Sequence, residues 1–113
     1  MDKKRGHYLG TEINKKWYKR YTGSGLFARG RGQYWYDDNS FYFLRQLTES
    51  PIVIPLESIK QFETGKWHCG RWCFGYDILK IIWAKDGLIL SSGFFIAKDR
   101  AENSKIISEL KKV

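Results

Sequence analysis

The sequence is short of the residues and runs that would announce a membrane-spanning protein, a disulfide scaffold or a metal enzyme. Among 113 residues there are two prolines, two cysteines and one methionine. No stretch reaches the roughly 18 consecutive apolar residues that a spanning helix requires, and Met1 to Gly10 lacks the apolar run of a secretory signal. Two thiols, Cys69 and Cys73, are too few to staple a small secreted domain, and a reducing compartment would keep them as thiols. The expected location is therefore cytoplasmic, either free or at the periphery of a membrane. Acids are scarce in the first 31 positions. Asp2 and Glu12 stand there against Lys3, Lys4, Arg5, Lys15, Lys16, Lys19, Arg20, Arg29 and Arg31, so this segment carries a net +7 of the chain's +8. An anionic partner would be met there first.

Aromatic residues are abundant by contrast, at 17% of the chain, a composition that suits packed strands rather than disorder. The length suits one core. From Gly32 onwards short strand-like runs alternate with turn residues: 33–36, the turn 37–40, the return 41–45, and then Ile52, Ile54 and Leu56 on one alternating face. Pro55 has no N–H, which predicts an edge strand or a strand end. Ile59 and Phe62 continue the core pattern to Gly65, and residues 66–76 read as a loop or irregular hairpin. Asp86-Gly87 joins the apolar runs 78–84 and 88–97 as a tight hairpin, because glycine accepts positive φ. Ile106, Ile107, Leu110 and Val113 fall on one helical face behind Asp99 and Glu102, which resemble a capping box, so a C-terminal helix should cover the sheet. Residues 11–22 predict a second helix, with Ile13, Trp17 and Tyr21 on one face and Lys15, Lys16, Lys19 and Arg20 towards the other. Residues 1–25 thus read as a basic leader, helical in part, ahead of a body at 26–113.

Catalytic chemistry finds little support. His68-Cys69-x-x-x-Cys73 offers three zinc-type donors, but the gap is not that of a zinc knuckle and His7 is distant in the chain. Adjacent residues on a strand point to opposite faces, so His68 is poorly placed to activate Cys69. The glycines at 23, 25, 30 and 32 fit neither G-x-G-x-x-G nor a phosphate-binding loop, and Asp37-Asp38 is explained by a turn. No metal, cofactor or enzymatic activity is expected. Trp67, Trp72, Phe74 and Tyr76, beside Lys66 and Arg71, form an aromatic stretch that would enter a membrane interface, stack on bases or cap one end of a barrel.

The run Gly32-Gln33-Tyr34-Trp35-Tyr36-Asp37-Asp38-Asn39-Ser40-Phe41-Tyr42-Phe43 and the run Ile54-Pro55-Leu56-Glu57-Ser58-Ile59, followed by Asp86-Gly87 and the final helix, resemble the pleckstrin-homology superfold in its GRAM-like and bacterial PH-like branch. The resemblance spans residues 26–113. It implies a mainly β fold, a PH-like split barrel of about six to seven antiparallel strands with a C-terminal capping helix, and a binding module rather than an enzyme. Ile106, Ile107 and Leu110 stand where eukaryotic signalling members carry a tryptophan, which favours the GRAM-like side. The function expected from charge and resemblance together is reversible association with an anionic membrane lipid or head group. The candidate residues are Lys15, Lys16, Lys19, Arg20, Arg29 and Arg31, with Trp67 and Trp72 in an aromatic loop. A protein-interaction module is the alternative, and nucleic-acid binding a second one.

Overall fold

The computed structural model describes residues 4–111 except 22, 24, 25, 27, 28, 69, 70, 73–75 and 97–99, with the backbone alone at 17, 18, 71, 72, 100 and 101. Its strands are β1 (Lys4–Ile13), β2 (Lys16–Arg20), β3 (Gly30–Tyr36), β4 (Ser40–Arg45), β5 (Ile52–Pro55), β6 (Ile59–Gly65), β7 (Trp67–His68), β8 (Arg71–Trp72), β9 (Ile78–Lys85) and β10 (Leu88–Phe95). A 3-10 turn, Leu56–Ser58, links β5 to β6, and one helix, α1 (Arg100–Lys111), follows β10. The main sheet runs β5-β4-β3-β1-β10-β9-β6, with β2 also paired to β1, while β7 and β8 form a separate ribbon. It is a mainly antiparallel β fold, open between β5 and β6 and closed by a C-terminal helix.

β1 holds the two halves of the sheet together. Its first residues pair with β3 and its later ones with β10, and the register shifts between Tyr8 and Gly10, a bulge that bends the strand. Gly6 faces Gly32 across β1 and β3. There β4 passes so close that a Cβ on Gly32 would lie 2.1 Å from the Leu44 carbonyl oxygen. The curled sheet brings Tyr8, Tyr34, Phe41, Phe43 and Phe94 into one buried cluster with Ile81 and Trp83. The Phe41 and Phe94 rings meet edge to face at 5.0 Å. Ile106 and Leu110 of α1 are buried in the same cluster, each such side chain contributing roughly 1.5–3 kcal/mol of transfer free energy. This is the helical face that the sequence predicts. Asp99 lies outside the described residues.

One buried chain of hydrogen bonds ties the core to the loop between β2 and β3. Trp83 Nε1 donates to Ser92 Oγ at 3.0 Å, Ser92 Oγ meets Thr11 Oγ1 at 2.7 Å, Thr11 Oγ1 meets Tyr8 Oη at 2.6 Å, and Tyr8 donates to the Leu26 carbonyl at 2.8 Å. An indole can only donate and a carbonyl can only accept, so every proton in the chain points from Trp83 towards Leu26. Each of these hydroxyls is thereby satisfied in the interior, where an orphaned one costs about 1–3 kcal/mol.

Residues 11–20, within the segment 11–22 expected to be helical, are not helical. They form the end of β1, a two-residue turn and β2. Asn14 and Lys15 take positive φ, 53° and 60°, the turn geometry that matches the twist of a hairpin. The helix-like spacing of Ile13, Trp17 and Tyr21 is instead spread over two strands and the residue after them, with Thr11 to Ile13 paired to Ser92 to Leu90 of β10. The segment read as a leader therefore supplies two strands of the sheet. The other hairpins follow their local signals. Asp37 Oδ1 accepts from the Asn39 and Ser40 amides at 2.8 and 2.9 Å, which closes β3 onto β4. Asp86 and Gly87, at φ 53° and 76°, join β9 to β10.

Candidate functional site at the basic end of the sheet

At the helix end, where β1 begins and β3 finishes, Lys4 pairs with Glu102 at 3.7 Å and Tyr36 hydrogen-bonds Glu109. Burial, then that bond, raises the Tyr36 phenol well above its ordinary value. The β1–β2 and β9–β10 turns lie together at the far end of β1, beyond the paired Ile13 and Leu90, while the start of β3 and the end of β4 lie along its first half. Pairing places Tyr8 beside Gly30 and Gly32 beside Arg45. The Asn14 amide donates to the Ile89 carbonyl at 2.8 Å, and Tyr21 Oη donates to Asp86 Oδ2 at 2.7 Å.

All six bases singled out in the sequence fall in the first 31 residues, the basic end of the chain, which supplies the consecutive strands β1, β2 and the start of β3. Lys15 sits in the β1–β2 turn, Lys16, Lys19 and Arg20 on β2, Arg29 just before β3, and Arg31 within it. They are not equivalent. Lys15 Nζ lies 2.6 Å from Glu63 Oε2, and that bond is the main reason the Glu63 carboxyl is held below its ordinary range. Arg20 stands across from Glu12 and is half-buried. Lys16, Lys19 and Arg31 are exposed, and Arg29 is half-buried. Arg45 joins them through its pairing with Gly32. Nothing in its local sequence marks it, because only the β3–β4 register brings it beside Arg31.

Trp67 and Trp72 face each other across the β7–β8 ribbon. Trp67 is 62% exposed, whereas the Trp72 side chain, like Cys69, Cys73 and Phe74, lies outside the described residues. Successive strand residues alternate, so the outward Trp67 goes with an inward His68. His68 is 1% exposed and sits on Gly93, where a Cβ would come within 2.3 Å of its ring. Gly93 is the register partner of Gly10, so two facing glycines make the recess that the imidazole fills. The Gly10 carbonyl, 2.8 Å from His68 Nε2, can only accept, which puts the neutral ring's proton on Nε2. Nδ1 then faces Glu12 Oε1 at 3.8 Å. The ribbon thus borders the basic end, held there by His68. Among the described residues no group of three His, Cys, Asp or Glu side chains could hold a metal ion.

Desolvation, the largest influence on His68, lowers its pKa below the ordinary 6.5, and Lys80 and Arg29 act in the same sense while Glu12 and the Gly10 carbonyl oppose them. The unfolded chain therefore binds a proton that the folded chain resists. Stability is expected to fall as pH drops below about 6.5 and to keep falling towards the lowered folded value. Replacing His68 with Gln, whose amide can still donate to Gly10, should flatten this acid limb in melts recorded from about pH 7.5 to about pH 5. An unchanged pH profile in His68→Gln would assign the acid sensitivity to other groups.

A family model described as Bacterial PH domain-like matches residues 1–111, and the chain belongs to that family. PH-like domains are generally non-catalytic binding modules. Comparison with curated proteins and with solved structures gave no match. No helix among the described residues is long and apolar enough to cross a membrane. The match begins before β1, in keeping with a sheet in which β1 is the central strand.

Proposed function

We propose that this domain associates reversibly with an anionic membrane surface through its basic end, working as a peripheral module on the cytoplasmic side. The observation that supports this is the exposure of Lys16, Lys19 and Arg31 within the segment that carries most of the net charge, with the exposed Trp67 on the β7–β8 ribbon. Each base near an anionic leaflet contributes about 1 kcal/mol, and tryptophan favours the interfacial layer. A handful of such contacts gives reversible attachment. Kinship with the GRAM-like branch belongs to the same proposal and rests on the apolar closing helix.

Protein binding is the second reading, and the two sheet edges bear on it differently. The Leu56 amide donates to the Asn39 carbonyl at 2.9 Å. Alternation along the pair then turns the backbone of Val53 and Pro55 away from β4, which leaves Val53 as the one outward amide of β5. An edge flanked by Pro51 and Pro55 is a poor template for an added strand. β6, seven residues without proline, is the edge an extended peptide would use.

Charge reversal at two exposed positions tests the membrane reading. Lys16→Glu with Lys19→Glu is preferred to a variant at Lys15, whose reversal would also break the Glu63 pair. Two attractions become two repulsions, so partitioning onto anionic vesicles should fall at least about tenfold, with an upper bound on the order of a thousandfold. The melting temperature should hardly change, since both side chains are exposed. Recovery equal to wild type would place the contact elsewhere, and a salt-steep gel shift without vesicle binding would favour nucleic acid.

A further inference from the structure

We propose that Leu47 is an insertion tip that enters the interfacial layer of an anionic bilayer while the surrounding arginines hold the head groups. This rests on the membrane reading above and names the element that carries it.

Two independent observations single out Leu47. It is fully exposed, at 102% of the reference area for its residue type, in a protein whose other leucines are at least partly buried. It also adopts φ 66°, a left-handed conformation that disfavours residues other than glycine, asparagine and aspartate. The turn from Arg45 to Thr48 fixes it there. The Arg45 carbonyl accepts from the Thr48 amide at 3.3 Å and from Thr48 Oγ1 at 2.6 Å, and the Gln46 amide donates to the Arg31 carbonyl at 2.9 Å. A positive φ at the third residue of such a turn normally selects glycine or asparagine. Leucine there adds strain and exposes an apolar side chain. Neither effect helps the isolated fold.

The neighbourhood says what kind of surface would compensate. Arg31 is exposed and its carbonyl anchors the turn. The stem of Arg45 crosses Gly30, with its Cδ 3.5 Å from where a Cβ would stand, and Arg29 precedes that glycine. Glu49 is the one acid in the segment joining β4 to β5. An apolar tip whose turn is flanked by Arg31 and Arg45 matches an anionic bilayer, whose head groups pair with guanidinium while the acyl boundary accepts the isobutyl group. A soluble anion would use the arginines and leave Leu47 in water.

The test is partitioning onto vesicles of zwitterionic lipid containing an anionic lipid, compared for wild type, Leu47→Asn and Leu47→Phe. Asparagine tolerates the left-handed conformation, so Leu47→Asn should melt at or above the wild-type temperature while partitioning falls roughly tenfold or more, the scale of losing one buried leucine. Leu47→Phe should partition at least as well as wild type. If wild type binds and Leu47→Asn binds equally, the insertion proposal is overturned and attachment through the basic end stands. If wild type does not bind anionic vesicles, both fail, and Leu47 becomes a candidate anchor for a protein partner instead.

Discussion

Gly32→Ala is expected to leave little folded protein at room temperature. The added Cβ would sit 2.1 Å from the Leu44 carbonyl oxygen, 2.8 Å from the Arg45 Cα and 2.9 Å from the Leu44 carbonyl carbon. All three atoms are backbone, so no rotamer change relieves the overlap, and β4 must separate from β3 along a register of five paired residues. A domain of this size is stable by about 5–15 kcal/mol in total. A loss of about 4 kcal/mol or more, the scale reserved for severe overpacking, removes most of that. Gly87→Ala supplies the contrast. No atom lies within 4 Å of a Cβ at Gly87, and only its φ of 76° opposes the change, so the cost should be about 1–2 kcal/mol. Denaturant melts followed by circular dichroism would rank the two, and a Gly32→Ala protein within about 1 kcal/mol of wild type would deny the close approach of β4.

Gly93→Ala should cost about 2–4 kcal/mol by a different route, overpacking combined with loss of a buried hydrogen bond. Its Cβ would meet the His68 ring at 2.3 Å from Cδ2 and 2.5 Å from Cγ. That ring is buried and bonded to Gly10, so it has to leave, and the β7–β8 ribbon leaves with it. Amide exchange should report lost protection at residues 67 and 68 while β9 and β10 keep theirs. A double-mutant cycle separates this from a general defect. In a His68→Ala background the recess is empty, and Gly93→Ala should then cost only a few tenths of a kcal/mol. An undiminished cost would mean that His68 is not what fills the glycine recess.

Both effects turn on contacts between segments far apart in the chain, and this marks the boundary of what was legible in the residues alone. Turns written by local chemistry came through. Asp37 caps its own hairpin, Asp86-Gly87 supplies positive φ, and Pro55 marks β5 as an edge. The closing helix came through as well, since Ile106 and Leu110 are one turn apart and apolar. Residues 11–22 misled because three apolar residues at helical spacing also satisfy two strands once a turn is inserted between Ile13 and Lys16. Asn14-Lys15 is a weaker hairpin signal than Asn-Gly. The basic segment was legible as charge. That Arg45 comes beside Arg31 was not, because cross-strand register is a property of the whole fold. Leu47 was passed over for the same reason, as exposure and φ have no local signature. The recess for His68 needed Gly10 and Gly93 to be opposite each other, which only the pairing of β1 with β10 arranges.

The most direct measurement is co-sedimentation of the unmodified protein with two sets of vesicles, one purely zwitterionic and one containing anionic lipid, each at low and at high salt. Attachment through the basic end requires recovery on the anionic vesicles only, falling as salt shortens the reach of the surface charges. Equal recovery on both sets, or none on either, would contradict it.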